Sequence, residues 1–238
     1  MRPVIGVSVT YLGEMDTNEF DKAAVAAVFG QAGLVGWRSV NLVSAAQEAG
    51  LDLARLRVRF PGKGAVLLRF GVMADQGALA AAPTTGTPRE RLFDLVMARF
   101  DALQEHRAGV LSLMDALRTD PGLALMLWGA TLRSMRWLLD TAGVPTDGVV
   151  GALRVQGMGA VWAYALRAWE KDESADMAST MAAVDRALDR AVQAEAMVPG
   201  RRSAPVHDEA GDDVMADDAP PMLPGDVVAH SEDGPAVL

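Results

Sequence analysis

The chain of 238 residues contains no cysteine and only three histidines. Without cysteine it cannot form disulfides, thiolate zinc sites, iron–sulfur clusters or a cysteine nucleophile. Two of the histidines, His207 and His230, lie in a proline- and aspartate-rich segment, so we predict no metal site and no cofactor. A Gly-x-Ser-x-Gly motif and a phosphate-binding loop of the right spacing are also missing from the sequence. These absences predict a protein that is not an enzyme.

Long apolar runs are missing too. No stretch reaches the roughly 18 consecutive apolar residues of a membrane-spanning helix, so we predict no stable membrane insertion. The first residues, Met1 to Glu14, are too short and too soon acidic for a secretory signal peptide. The sequence therefore predicts a cytoplasmic location.

Charge is unevenly distributed along the chain. The formal net charge is −9, which taken alone argues against nucleic acid as a partner. However, residues 201–238 hold nine acidic residues and two arginines, a net charge of −7. Residues 36–70 hold six basic and two acidic residues, a net charge of +4. The acidity is thus mainly a property of the C-terminal segment, and a basic window remains available for an anionic partner.

The apolar residues recur at helical spacing from about residue 17 to about residue 197, and strand patterns are weak after residue 15. The fold class predicted is all-α. Turn residues predict helices over 17–33, 41–49, 53–60, 64–79, 88–106, 108–118, 122–141, 147–171 and 176–197. We expect a flexible arm over 1–15, one helical domain over 16–80, a second over 88–198 and a disordered acidic tail over 199–238.

The basic window has the layout of a helix-turn-helix. One short helix ends in Ala49-Gly50-Leu51, where the glycine supplies the turn, and Asp52 can cap the next helix. On a helical wheel of that second helix, Arg55 and Arg59 lie together, away from the apolar side chains. Because arginine can donate two hydrogen bonds to guanine, such a pair suits the major groove of DNA. The alternative is that these arginines only solvate a surface helix.

Residues 36–70 resemble the DNA-binding domain of the TetR family of bacterial transcriptional regulators. The resemblance rests on Gly36-Trp37, Ala46 with Ala49-Gly50-Leu51, Phe60-Pro61-Gly62-Lys63, and the apolar run 66–68. It implies a TetR-like fold, in which an N-terminal three-helix helix-turn-helix domain precedes a C-terminal helical domain for ligand binding and dimerisation. The partners implied are a double-stranded DNA operator, a second copy of the chain and an unknown small apolar ligand.

The residues implied for DNA binding are Arg38, Asn41, Arg55, Arg57, Arg59 and Lys63. We expect Arg55 and Arg59 to face base edges, and the remaining cations to hold phosphates. The resemblance places Lys63 at a phosphate, and a lysine at a helix N-terminus does attract anions. Two positions depart from the family pattern. The family usually has a threonine or serine near Val40, where Asn41 or Ser39 can take its place, and Arg57 stands where the family has tyrosine.

The C-terminal half offers candidates for the other two partners. The tentative dimer interface combines small residues with an apolar stripe on the last helix: Gly157, Ala160, Met177, Met181, Val184 and Leu188. The tentative ligand pocket combines large flexible and aromatic side chains: Met97, Met114, Trp128, Met135 and Trp162. In both cases ordinary packing within the chain is the open alternative.

A second resemblance points to a different function. The segment from Trp169 through Asp172-Glu173-Ser174-Ala175-Asp176, with Thr180 and Asp185-Arg186, is similar to the C-terminal region of the ubiquinone-biosynthesis accessory proteins. That family shares the TetR-like fold but binds isoprenoid lipids. It implies an alternative, a non-enzymatic lipid-binding accessory protein with a vestigial helix-turn-helix. The carboxylates of this segment are also what a helix N-terminus attracts.

Overall fold

The computed structural model describes residues 16–197. These residues form nine α-helices and one short 3-10 helix, and no strand occurs among them. The helices are α1 (Thr17–Val35), α2 (Leu42–Glu48), α3 (Leu53–Arg59), α4 (Lys63–Ala80), α5 (Pro88–Glu105), α6 (Arg107–Leu117), α7 (Pro121–Thr141), α8 (Gly148–Lys171) and α9 (Ala178–Ala196). The 3-10 helix spans Trp37–Ser39. The prediction of an all-α fold is confirmed. The arm predicted over 1–15 and the tail predicted over 199–238 lie outside the described residues.

Local capping explains why the helix ends follow the sequence pattern closely. The Asp52 carboxylate accepts a hydrogen bond from the Arg55 backbone N–H at 2.6 Å and starts α3, as predicted. Thr87 and Glu90 form a complete capping box at the start of α5. At the start of α1 the Asp16 carboxylate accepts a hydrogen bond from the Thr17 backbone N–H, one of the donors that have no partner within the helix.

Helices α1 to α4 share an aromatic core. The Phe29 ring of α1 lies 5.6 Å from the Trp37 ring and 4.5 Å from the Phe70 ring of α4, measured between centroids. Leu56 is the buried residue of α3. Gly50 adopts a φ of 66° between α2 and α3, a conformation that favours glycine. This arrangement holds α2 and α3 as a helix-turn-helix on the scaffold of α1 and α4.

The remaining helices pack around a second aromatic group. Phe100 of α5 stacks on Trp162 of α8 with centroids 4.6 Å apart. The Arg107 guanidinium lies 4.5 Å from the centre of the Trp169 ring, and the indole N–H of Trp169 donates to Gln104 at 3.0 Å. Both tryptophans are buried. Stacking and a partnered N–H fix the direction of α8 against α5.

The two groups of helices are packed into one unit, which continues across the boundary predicted between 80 and 88. Helix α4 packs on α5 and α7, and α1 crosses α6 at two glycines. A Cβ added to Gly109 of α6 would lie 2.3 Å from the carbonyl oxygen of Phe29, and one added to Gly33 of α1 would lie 2.9 Å from the Cβ of Ala108. The two backbones therefore touch where α1 and α6 cross.

Candidate nucleic-acid interface and internal cavity

A buried carboxylate organises the basic side of the helix-turn-helix. Asp21 of α1 is fully buried and accepts hydrogen bonds from Arg59 Nε at 2.9 Å, Arg59 Nη2 at 2.6 Å and Arg69 Nε at 2.6 Å. The hydrogen bonds from Arg59 lower the pKa of the Asp21 carboxyl below its ordinary value, against the raising effect of burial. Asp21 therefore ties α3 and α4 to α1. Sequence reasoning gave it no role, because its partners Arg59 and Arg69 lie on other helices, 38 and 48 residues further along the chain.

Arg55 and Arg59 both turn toward α1. The Arg55 guanidinium lies 4.4 Å from the centre of the Phe20 ring, and Arg59 is held by Asp21. The sequence predicts both side chains on the outward side of α3, because a helical wheel shows the positions of residues on one helix and takes no account of its neighbours. Two side chains of the neighbouring α1 reach that side, where Phe20 supplies an aromatic face and Asp21 a carboxylate.

Three other predicted DNA contacts also have partners within the chain. The Lys63 ammonium donates to the carbonyl oxygens of Trp37 at 2.9 Å and Arg38 at 3.0 Å. The Asn41 side chain accepts from the backbone N–H groups of Val43 and Ser44 at 3.0 Å and so caps α2. The Arg38 guanidinium donates to the hydroxyl of Thr119. These contacts fix the start of α4 and of α2 in place.

The outward face of α3 is formed by Ala54, Arg57 and Val58. The Val58 side chain is 89% exposed. Arg57 is exposed and makes no hydrogen bond or ion pair with any residue in the range 16–197. Beside it lies an open groove of about 430 Å³ between α2, α3 and the start of α4. Asn41, Arg57 and Lys63 all line this groove, so three of the six predicted DNA contacts come together there.

An apolar cavity of about 200 Å³ lies between α4, α5, α6, α7 and α8. Helix α4 contributes Leu67, Phe70, Gly71 and Ala74 to its wall. Met114, Trp128 and Trp162, predicted as pocket residues, line this cavity. Met97 and Met135 do not line it. Met135 is fully buried in the core, and Met97 packs against the core half-buried. The periodicity that suggested them marks burial without distinguishing a cavity wall from filled core.

One wall of this cavity carries a buried ion pair. Arg99 is 6% exposed, and its Nη1 lies 2.8 Å from an Asp75 carboxylate oxygen. The other Asp75 oxygen accepts a hydrogen bond from the Ser134 hydroxyl at 2.6 Å. Burial lowers the pKa of Arg99 and raises the pKa of Asp75, because both ionised groups lose hydration. Sequence reasoning missed this pair, which joins α4 to α5 and is not visible in the spacing of either helix.

The comparisons with known proteins agree with this architecture. The crystal structure of a TetR transcriptional regulator from Nitrosomonas europaea superposes with a TM-score of 0.60 and 19% sequence identity, over 73% of this chain and 98% of that one. The chain has a TetR-like fold. No family model matches the chain, and no curated protein matches it.

Within the TetR-like fold, the residues predicted for a dimer interface divide into two groups. Met177, Val184 and Leu188 are buried inside the chain, and Met181 is half-buried. Helix α9 packs on α5 and α8, and this packing buries the three side chains within the chain. Gly157 and Ala160 are exposed on α8. The sequence predicts an apolar stripe on the last helix, and within this chain that stripe is covered by α5 and α8.

The acidic segment between α8 and α9 is a hydrogen-bonded cap of this TetR-like fold. Asp172 accepts from the Thr180 backbone N–H and hydroxyl at 2.8 Å, and from the Ser174 backbone N–H at 3.1 Å. Hydrogen bonds from Ser174 are the main cause that lowers the pKa of Asp172 to about 2. Asp176 accepts from the Ala178 backbone N–H at 3.3 Å. The expectation that these carboxylates cap the last helix is confirmed for Asp172 and Asp176.

Two further observations concern metals and membranes. No group of three or more His, Asp or Glu residues placed to hold a metal occurs within residues 16–197. In the same part of the chain, α8 is long and apolar enough to cross a membrane by length and composition. Core helices of soluble proteins pass the same test, and α8 has one side packed on α7 and α9. This helix alone is therefore weak evidence for membrane insertion.

Proposed function

We propose that this protein is a ligand-responsive, DNA-binding transcriptional regulator of the TetR type. It acts in the cytoplasm as a homodimer, most simply as a repressor on a double-stranded operator, and has no enzymatic activity. The observation that carries the proposal is the continuity of α4. Its first residue, Lys63, donates to the carbonyl oxygens of Trp37 and Arg38 in the 3-10 helix that precedes α2, and its middle forms one wall of the apolar cavity. A small molecule in the cavity thus contacts the helix that positions the DNA-binding surface.

Within this proposal Arg57 is the foremost DNA contact. It lies on the outward face of α3 and lines the groove with Asn41 and Lys63. The remaining predicted contacts act mainly by holding α2, α3 and α4 in register. Arg55 and Arg59 reach DNA only if the contacts with Phe20 and Asp21 are exchanged for contacts with bases or phosphates.

The test is DNA binding by the full chain, with fluorescently labelled DNA from upstream of its own gene. We expect Arg57→Ala to weaken binding and to reduce the slope of log affinity against log salt by about 1, the effect of losing one phosphate contact. Lys171→Ala is the matched control, because Lys171 is an exposed cation at the far end of α8. If both variants keep the affinity and salt slope of the wild type, α3 is not the DNA-binding helix.

The homodimer is proposed to form through the exposed side of α8, where Gly157 and Ala160 allow close approach and Leu153 is exposed. Equilibrium sedimentation at micromolar concentration tests it. We expect Leu153→Glu to yield monomers, and Leu34→Glu, at an exposed leucine of α1, to remain dimeric. A monomeric wild-type protein contradicts this part of the proposal.

A second candidate function is favoured by one observation at α3. Val58 is almost fully exposed on the outward face, whereas Arg59 is engaged with Asp21, so this face is less cationic than the sequence suggests. That favours a non-enzymatic accessory protein that binds isoprenoid lipid and carries a vestigial helix-turn-helix. Mass spectrometry of lipid extracted from the purified protein separates the two functions. Bound isoprenoid together with no affinity for DNA supports the second.

A further inference from the structure

The Arg99 guanidinium in the cavity wall has more hydrogen-bond donors than partners. Its Nη1 faces Asp75, and the group lies 4.7 Å from the centre of the Trp162 ring. It has no other ion-pair partner within residues 16–197, and the buried Nε has no hydrogen-bond acceptor there. Arginine carries five N–H donors, and buried donors in native proteins almost always have acceptors. The cavity is therefore a place where an acceptor oxygen is favoured.

The charge of this group is already balanced. Asp75 faces Arg99 at 2.8 Å, so a further carboxylate in the cavity would bring an uncompensated negative charge into an apolar site. The other lining side chains are overwhelmingly apolar, with Thr131 as a second polar group on the wall. The chemistry of the wall therefore favours an uncharged ligand with an apolar body.

We propose that the cavity binds an uncharged apolar molecule with one carbonyl oxygen, and that this oxygen accepts a hydrogen bond from Arg99. A cavity of 150 Å³ takes benzene, so about 200 Å³ fits a ligand of roughly ten non-hydrogen atoms. The body of the ligand lies against Phe70 and Trp162. The inference rests on the proposed function in so far as it names the ligand class of the regulator, but the binding itself requires no DNA.

Three compounds of equal size test the proposal on the wild-type full chain. Acetophenone has the carbonyl, isopropylbenzene replaces it with an apolar group, and benzoate replaces the methyl with a charged oxygen. In calorimetric titrations at neutral pH we expect acetophenone to bind about tenfold or more tightly than isopropylbenzene, the effect of a hydrogen bond to a charged donor. Benzoate should bind more weakly than acetophenone.

Each of the other possible results contradicts one step of the proposal. Equal binding of acetophenone and isopropylbenzene means that water already satisfies Arg99, and tighter binding of benzoate means that the site selects anions. Absence of binding by all three up to millimolar concentration refutes the proposal as a whole.

Two substitutions in α4 test whether the ligand binds in this cavity. A Cβ at Gly71, which lines the cavity, and a Cβ at Gly77, which does not, would each meet no atom within 4 Å. Gly71→Leu should fill the cavity and reduce acetophenone affinity at least tenfold, whereas Gly77→Leu should leave it unchanged. Equal affinity in both variants places the ligand elsewhere.

DNA affinity measured without any ligand keeps this test separate from the proposed function. A protein that binds acetophenone but not DNA retains the cavity site and loses the regulator role. A protein that binds DNA but none of the three compounds retains the regulator role and refutes the inference about Arg99.

Discussion

The buried carboxylate of Asp21 is the point at which a single substitution should most affect the helix-turn-helix. Asp21→Asn keeps the shape of the side chain and removes the charge that accepts three hydrogen bonds, at 2.6, 2.6 and 2.9 Å. Removing one member of a fully buried ion pair costs about 3–5 kcal/mol. Here the side chains of Arg59 and Arg69 are 43% and 19% exposed, so both regain water when the carboxylate is lost. We therefore expect a loss of about 2–3 kcal/mol in the free energy of unfolding at neutral pH.

Urea unfolding followed by circular dichroism measures this loss. Slopes of about 1–3 kcal/mol per molar urea convert it into a midpoint about 1 M lower. Asp101→Asn is the matched control, since Asp101 is exposed and has no partner within the described residues. It should change stability by less than about 0.5 kcal/mol.

The stability that Asp21 contributes should depend on pH with a defined sign. Because the folded pKa of Asp21 lies below its ordinary value of 3.8, its contribution is present above about pH 4 and is lost as pH falls through the lowered pKa. Asp21→Asn should lack this component of the acid transition. A loss below about 0.5 kcal/mol at neutral pH, or an acid transition identical to that of the wild type, refutes the reasoning.

Two further predictions concern packing and capping. Gly109→Ala would place a Cβ 2.3 Å from the Phe29 carbonyl oxygen, so we expect a loss of about 3 kcal/mol in the free energy of unfolding, measured by thermal denaturation. Gly30→Ala is the control, because a Cβ on this residue of α1 would meet no atom within 4 Å, and it should raise the free energy of unfolding by up to about 1 kcal/mol. Equal effects of the two alanine substitutions would contradict the close crossing. Asp172→Ala should cost about 2 kcal/mol at neutral pH, where its carboxylate is ionised, and the loss should shrink as pH falls from about 4 toward its pKa of about 2. Unfolding measured from pH 7 to pH 2 checks this, and a loss independent of pH would contradict the assigned hydrogen bonds.

Helix positions were predictable from sequence because their signals are local. Asp52 caps α3 from within the same turn, Gly50 makes the preceding turn, and Thr87 with Glu90 starts α5. Each of these devices acts over a few residues, so spacing alone identifies it. The apolar stripe of α9 was equally visible, although the pattern could not distinguish burial against α5 and α8 from burial against a second copy.

The candidate site was less predictable, because its side chains are held by partners that are in contact in space but far away along the sequence. Asp21 lies 38 residues from Arg59 and 48 from Arg69, and no periodicity of α1 indicates that its one buried carboxylate has partners there. Arg99 and Asp75 likewise belong to different helices. A charged residue on an otherwise apolar helix face is the signal that could have found both acids. The identity of the partner required the tertiary fold.

The crossing of α1 and α6 also bears on how movement can pass through the molecule. Gly109 faces the backbone of Phe29 and Gly33 faces the methyl group of Ala108, so no side chain with alternative rotamers lies at the contact. Sliding one helix along the other would drive Ala108 into α1 or the Phe29 carbonyl group into α6. Rotation about the contact leaves the distance between the two helices unchanged. The crossing thus permits rotation of one helix against the other and resists sliding. A displacement of α4 would therefore turn the helix-turn-helix about this crossing, and the shift of α3 would grow with its distance from the crossing.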